Sequence, residues 1–244
     1  MDQISILAAS AMRSSMQSLD LLANNVANAS TSGYKSDSEF HTVYTSEAAD
    51  ADATELPVTL PMIERRWTDF AQGLLEPTNN PMDFGLSGKG FFVVKGPNGP
   101  LYTRNGNFRM SPDGTVVTSD GYPLLGQDGQ PVKATDTGQP LQVSIDGSVI
   151  QNGQPLGQVH LVDFKDPTAL SKQGNNYYHN VSGKDPLDAT EAQIYQGKVE
   201  ASNVSAAHGA VRLVNVTRQF EMMQKAISIA NDMNKEAIEQ VAKV

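Results

Sequence analysis

The chain has 244 residues, a formal net charge of −9, 39% apolar and 18% charged residues, 20 glycines, 13 prolines and a single tryptophan, Trp67. That length accommodates one large domain or two small ones around a buried core, and the composition excludes a wholly disordered chain. The absence of cysteine excludes disulfides, thiol nucleophiles and thiolate-held metals or clusters.

The charge is unevenly placed. Asp2 and Asp20 balance Arg13 and Lys35 in residues 1–35, and from Gly197 onward six basic residues meet five acidic ones, which leaves −10 on the middle. An acidic centre between neutral ends argues against nucleic acid as a partner, because neutralising phosphates needs Lys and Arg on the contact face. The start Met-Asp-Gln-Ile-Ser-Ile-Leu lacks the basic n-region and continuous apolar h-region of a cleavable signal peptide. No stretch approaches the ~20 apolar residues of a membrane-spanning helix, so direct membrane insertion is not expected.

Residues 3–29 predict one amphipathic helix. Ala8, Met12, Ser15, Leu19, Leu22, Val26 and Ala29 step alternately by four and three, the spacing of a helix–helix seam, with Gln17, Asp20 and Asn24 off it. So much of this seam is alanine and serine that it suits close packing among several neighbours better than an isolated dimer. Ser30-Thr31-Ser32-Gly33 then supplies stop chemistry, Gly33 being able to take the left-handed conformation. Residues 46–56 hold no bulky apolar residue before Leu56 and read as an exposed, mobile linker. Asp50, Asp52 and Thr54 do not begin a calcium loop, since Glu55 stands where that motif needs glycine.

From Pro81 to about Tyr195 the texture is β. Short runs such as Phe91-Phe92-Val93-Val94, Thr115-Val116-Val117 and Val159-His160-Leu161-Val162 alternate with the turn pairs Asn98-Gly99, Asn105-Gly106, Asp113-Gly114, Asp120-Gly121, Asp128-Gly129, Asp146-Gly147 and Asn152-Gly153. The pattern predicts an antiparallel, hairpin-rich domain. From about Ser202 the chain becomes helical again. Leu213, Val216, Phe220, Met223, Ile227, Ala230, Asn234, Ala237 and Val241 hold strict three-and-four spacing, a helix of roughly 40 residues and about 60 Å at 1.5 Å per residue. So long a stripe cannot be covered by one small β core. The expected fold is therefore α+β: N- and C-terminal helices pairing as a coiled-coil-like stalk (residues 1–45 with 197–244), an acidic linker and extended segment (46–80), and a central β domain (81–196).

No catalytic or cofactor chemistry emerges. His41, His160, His179 and His208 show neither HExxH spacing nor a nucleophile motif. Gly85-Leu86-Ser87-Gly88-Lys89-Gly90 has neither dinucleotide nor P-loop spacing, and Lys89-Gly90-Phe91-Phe92-Val93 puts Phe92 where an RNA-binding strand needs a small residue. No metal site and no cofactor are implied. A secreted enzyme acting on peptidoglycan through paired carboxylates is the reading from another class, and nothing in the sequence brings two carboxylates together.

Ala23-Asn24-Asn25-Val26-Ala27-Asn28 followed by Thr31-Ser32-Gly33-Tyr34-Lys35 resembles the N-terminal motif shared by bacterial flagellar rod and hook proteins, with Ser32 where that family usually has proline. At the other end, Gln196-Gly197-Lys198-Val199-Glu200-Ala201-Ser202-Asn203-Val204 and Arg218-Gln219-Phe220-Glu221 resemble the family's approach to, and centre of, the C-terminal helix. Asn80-Pro81-Met82-Asp83-Phe84, Gly88-Lys89-Gly90-Phe91-Phe92 and Tyr102-Thr103-Arg104-Asn105-Gly106-Asn107-Phe108 resemble its β domain. Arg218 through Lys225 is most similar to the proximal rod type, with a distal rod or short hook-type subunit as the alternative.

The resemblance implies a structural, non-enzymatic subunit of the basal-body rod in the periplasm, exported through the flagellar type III apparatus and assembling with other rod proteins and copies of itself. It implies a subunit interface at Leu19, Leu22, Asn24, Asn25, Val26, Asn28, Gly33, Tyr34 and Lys35, and at Ser202, Asn203, Val204, Leu213, Val216, Arg218, Phe220, Glu221, Met223, Ile227, Ala230 and Val241. For Asn24, Asn25 and Asn28 the expectation is that their amides fix helix register, through a neighbour or through the segment after Gly33.

Overall fold

In the computed structural model, which describes residues 3–45 and 59–241, the chain is α+β, with one helix at each end and a β-rich region between. Helix α1 spans Gln3–Ala27 and α2 spans Ala206–Val241. The acidic segment 46–56 lies outside the described residues. The strands in order are β1 (Asp37–Thr45), β2 (Thr59–Thr68), β3 (Leu75–Pro77), β4 (Phe84–Ser87), β5 (Phe91–Gly96), β6 (Gly99–Thr103), β7 (Phe108–Met110), β8 (Val116–Thr118) and β9 (Gln142–Val143). They continue as β10 (Ser148–Gln151), β11 (Gln154–Gln158), β12 (Leu161–Asp163), β13 (Leu170–Lys172), β14 (Tyr177–Asn180), β15 (Leu187–Asp188), β16 (Gln193–Gln196) and β17 (Lys198–Glu200). Two compact units result: Met1–Ala27, Asp37–Thr68 and Ser205–Val244 form the first, and Asn28–Ser36 with Asp69–Val204 the second.

In the first unit α1 has no glycine or proline to interrupt it and ends at Ala27, two residues before the seam predicted, because Asn28 O turns to accept from Thr31 N at 3.1 Å. Ser205 starts α2, its Oγ accepting from His208 N at 3.4 Å and its carbonyl from Gly209 N at 2.9 Å. At 36 residues α2 is about 54 Å long. The two helices contact one another, and Gly209 leaves room for Val26: a Cβ on it would stand 2.5 Å from Val26 Cγ2, so one of the two would have to shift. The remaining element is the antiparallel hairpin of β1 and β2, registered from Asp37↔Thr68 to Thr45↔Thr59 with a bulge between Phe40 and His41. This hairpin, absent from the sequence reading, also packs on α1.

The second unit is built on a six-stranded antiparallel sheet in the order β13-β14-β6-β5-β12-β15. Strand β5 explains its own composition. Phe92 and Val94 enter one core with Phe84, Leu86, Phe108 and Leu124, while Phe91 and Val93 enter a second with Tyr102, Val162, Phe164 and Tyr178. A strand covered on both faces needs a continuous apolar run rather than alternation. Asn152 and Gly153, at φ 51° and 74°, make the two-residue turn from β10 to β11. Asn105-Gly106 differs from this expectation: Gly106 is not left-handed, and a Cβ there would lie 1.8 Å from Phe84 O, so the glycine permits a close backbone approach rather than a hairpin turn.

Candidate assembly surfaces

The stripe predicted on the C-terminal helix is a physical stripe. Leu213, Val216, Phe220, Met223, Ile227 and Ala230 are each half-buried on α2, whereas Arg218 and Glu221 are exposed and the side chain of Val241 lies outside the described residues. On α1, Ser15 and Leu22 of the predicted seam are buried and Leu19 and Val26 half-buried. This helix has a second covered face that the sequence reading missed: Ser14, Ser18, Leu21 and Asn25 are also buried. Ser18 Oγ bonds to Glu39 on the hairpin. Asn25 takes both backbone groups of Asp37, donating from Nδ2 to the carbonyl at 2.7 Å and accepting from the amide at 3.0 Å. One asparagine thus pins the helix to the strand after Gly33. Asn24 is exposed on the same helix.

In the second unit the segment leaving the first helical motif and the segment leading to the last one are tied by a buried ion cluster. Lys35 Nζ donates to Glu200 Oε1 at 2.6 Å and to Ala71 O at 2.7 Å. Glu200 Oε1 also accepts from Gly73 N at 2.8 Å, and Oε2 accepts from Arg104 at 3.2 Å, with Lys35 and Glu200 wholly buried. Burial pushes the Lys35 ammonium below its ordinary range, opposed by the Glu200 carboxylate, and the Arg104 guanidinium is lowered in the same way. Gly33 N donates to Glu200 O at 2.7 Å. Gly33 holds φ 69°, and a Cβ on it would meet Asn105 N at 2.4 Å.

Asn203 completes the crossing. Its Oδ1 accepts from Ser36 N at 2.8 Å and its Nδ2 donates to Asp69 O at 2.8 Å. Lys172 Nζ donates to Lys35 O and lies 4.5 Å from the Tyr34 ring centroid. Asn28 Oδ1 accepts from Thr31 Oγ1, Ser202 Oγ accepts from Val204 N, and Val204 is half-buried. Gly33, Tyr34, Lys35 and Asn203 therefore work inside the unit, joining strands far apart in sequence. Arg104 and Glu200 stood within the resembling motifs but were not singled out.

Among the described residues no group of His, Asp or Glu is arranged to hold a metal ion, and no helix is long and apolar enough to cross a membrane. Three family descriptions match the chain: "Flagella basal body rod protein" over residues 7–35, "Flagellar hook protein FlgE/F/G D1 domain" over 85–151, and "Flagellar basal body rod FlgEFG protein C-terminal" over 195–240. The chain is 34% identical to the flagellar basal-body rod protein FlgF of Caulobacter vibrioides, across 93% of this chain and 92% of that one. It is 31% identical to FlgF of Mesorhizobium japonicum, across 88% of each. Similarity to the flagellar basal-body rod protein FlgG of Buchnera aphidicola subsp. Acyrthosiphon pisum is 31%, across 88% of this chain and 90% of that one.

Proposed function

Because this chain belongs to the flagellar basal-body rod protein family, as a structural axial subunit of F type, we propose that it builds the proximal rod by packing α1 and α2 against the helices of neighbouring axial subunits. The two helices form a coiled-coil-like stalk, residues 1–45 with 197–244 being the polymerising part, 81–196 the lateral β domain and 46–80 the join. Its work is mechanical rather than catalytic. Gly33, Tyr34, Lys35 and Asn203 contribute by holding the chain crossing, and the helix stripes contribute by direct contact.

One observation carries this reading. After packing on α1, α2 still presents large apolar side chains to solvent, Val211 at 62% and Met222 at 64% exposure among them. Such a face on a long helix marks an interaction surface. Passage through the flagellar type III export apparatus fits termini that order fully only on assembly, since isolated helices gain little stability until a neighbour covers their apolar face.

The test is genetic and biochemical. Cells lacking the chain are expected to be non-motile with incomplete rods, and full-length protein to associate by light scattering where protein ending at Val204 does not. Complete rods and normal swimming without the chain would refute the proposal.

A further inference from the structure

The second unit contains a cavity of about 470 Å³, within the ~300–1,000 Å³ range of small-ligand sites. Strands β6 and β14 lay its floor. Tyr178 pairs with Tyr102 and both enter the second core, so alternation turns Leu101, Tyr177 and His179 to the other side of the sheet, where they line the cavity. Tyr122 forms a wall, half-buried, its ring 5.3 Å from that of Tyr177 and at 80° to it. Asp120 is held at the rim: Oδ2 accepts from the Tyr177 hydroxyl at 2.8 Å and Oδ1 from Asn175 Nδ2 at 3.4 Å. The turn that carries Asn175 keeps three successive residues left-handed, Gly174, Asn175 and Asn176 at φ 83°, 44° and 63°. Asn176 is tied into the fold, donating to Ser32 O and accepting from Thr103 Oγ1. Among the described residues the Asn175 side chain bonds to Asp120 alone, so its unusual backbone serves the rim.

We propose that this cavity binds a neutral saccharide, stacking a pyranose ring on Tyr122 and fixing its hydroxyls through Asp120 and the amides of the rim. The chemistry of the lining selects that class. No lysine or arginine lines the cavity, so a phosphate or carboxylate ligand would meet the Asp120 carboxylate with no cation to offset it. An apolar ligand would strip water from the polar rim without replacing its bonds. The side-chain amides of Asn98 and Gln173 and the His179 imidazole also stand at the cavity, and among the described residues none of these three groups is bonded to the chain. They offer donors and acceptors together. An ammonium, which only donates, would leave the amide N–H groups unmatched. A hydroxyl answers both, and neighbouring hydroxyls match the two oxygens of a carboxylate. The C–H face of the sugar ring supplies apolar surface for Tyr122. This site goes beyond the rod reading and does not depend on it.

Ligand-observed NMR on the full-length chain tests this, since it reads binding whether or not the protein associates. Cellotriose, maltotriose and tri-N-acetylchitotriose are titrated in turn. At least one should show saturation transfer, strongest at its ring C–H protons, and saturable binding by calorimetry. Gln173→Ala and His179→Ala, both at exposed positions, should each weaken that binding by about three- to tenfold, the loss of one hydrogen bond. Should either variant lose the native circular dichroism spectrum, Asn98→Ala, exposed between β5 and β6, replaces it with the same expected loss. No saturable binding by any of the three saccharides up to about 10 mM overturns the proposal. So does binding that both substitutions leave unchanged, which puts the sugar elsewhere on the chain. Tighter binding of n-butylammonium than of every saccharide assigns the cavity to a cation and overturns it as well.

Discussion

Replacing Glu200 by glutamine keeps the size of the side chain and removes the single negative charge in direct contact with two buried cations. Lys35 Nζ lies 2.6 Å and Arg104 3.2 Å from that carboxylate, and the Lys35 and Glu200 side chains are fully excluded from solvent. Leaving a buried charge without its partner costs about 3–5 kcal/mol. For a unit of this size that is a fall in melting temperature on the order of 10 °C. Lys35→Met works in the opposite electrostatic direction, because it leaves Glu200 paired one-to-one with Arg104. Burial already disfavours the Lys35 ammonium more than Glu200 favours it. Its cost should be the lost hydrogen bonds, about 1–2 kcal/mol. Thermal unfolding of the full-length variants, followed by circular dichroism at the β minimum, measures both. Equal losses, or a greater loss for Lys35→Met, would refute the charge argument and leave only packing.

Gly33→Ala should destabilise the second unit by more than ~2 kcal/mol, combining a left-handed backbone with overlap on Asn105 N. Gly121→Ala, at φ 87° with nothing within 4 Å of the new Cβ, should cost only ~1 kcal/mol in the same denaturant titration. Gly209→Ala should weaken the α1–α2 pair through the clash with Val26 Cγ2, and Val26→Ala should relieve part of that loss; additive losses in a double-mutant cycle would contradict the close approach. At alkaline pH, burial pushes the phenols of Tyr102 and Tyr177 above their ordinary value of 10.0. The folded chain thus holds protons that the unfolded chain releases, and stability is full below pH 10 and falls as pH rises past it. Tyr177→Phe should flatten that decline, measured as midpoint denaturant concentration between pH 9 and 11.

The α2 stripe was legible because a helix covered on one side writes its packing as three-and-four spacing, and each of the six residues from Leu213 to Ala230 on that spacing is half-buried. Strand β5 was legible because four bulky apolar residues in succession suit a strand covered on both faces. The second buried face of α1 was not legible, since Ser14, Ser18 and Asn25 belong to residue types that usually face solvent. Nor was the hairpin of β1 and β2. Its strands are separated by residues 46–58 rather than by a two-residue turn, and Asp37-Ser38-Glu39 opens it with no apolar residue.

The ion cluster was beyond sequence reasoning for a different reason: Lys35 and Glu200 are 165 positions apart, and no local period connects them. Its chemistry nonetheless suits its place. A buried ion pair adds little stability over well-packed apolar groups, whereas its demands on geometry are strict. Strand β17 pairs with β3 over three positions, with Glu200 opposite Leu75. Slipping that short ladder by one residue would turn Glu200 to the other face and leave Lys35 and Arg104 buried without it. Three apolar side chains in those positions would tolerate the slip. The charges therefore fix the register of the strand that delivers the chain to α2, a task for which their sensitivity to position matters more than their net energy.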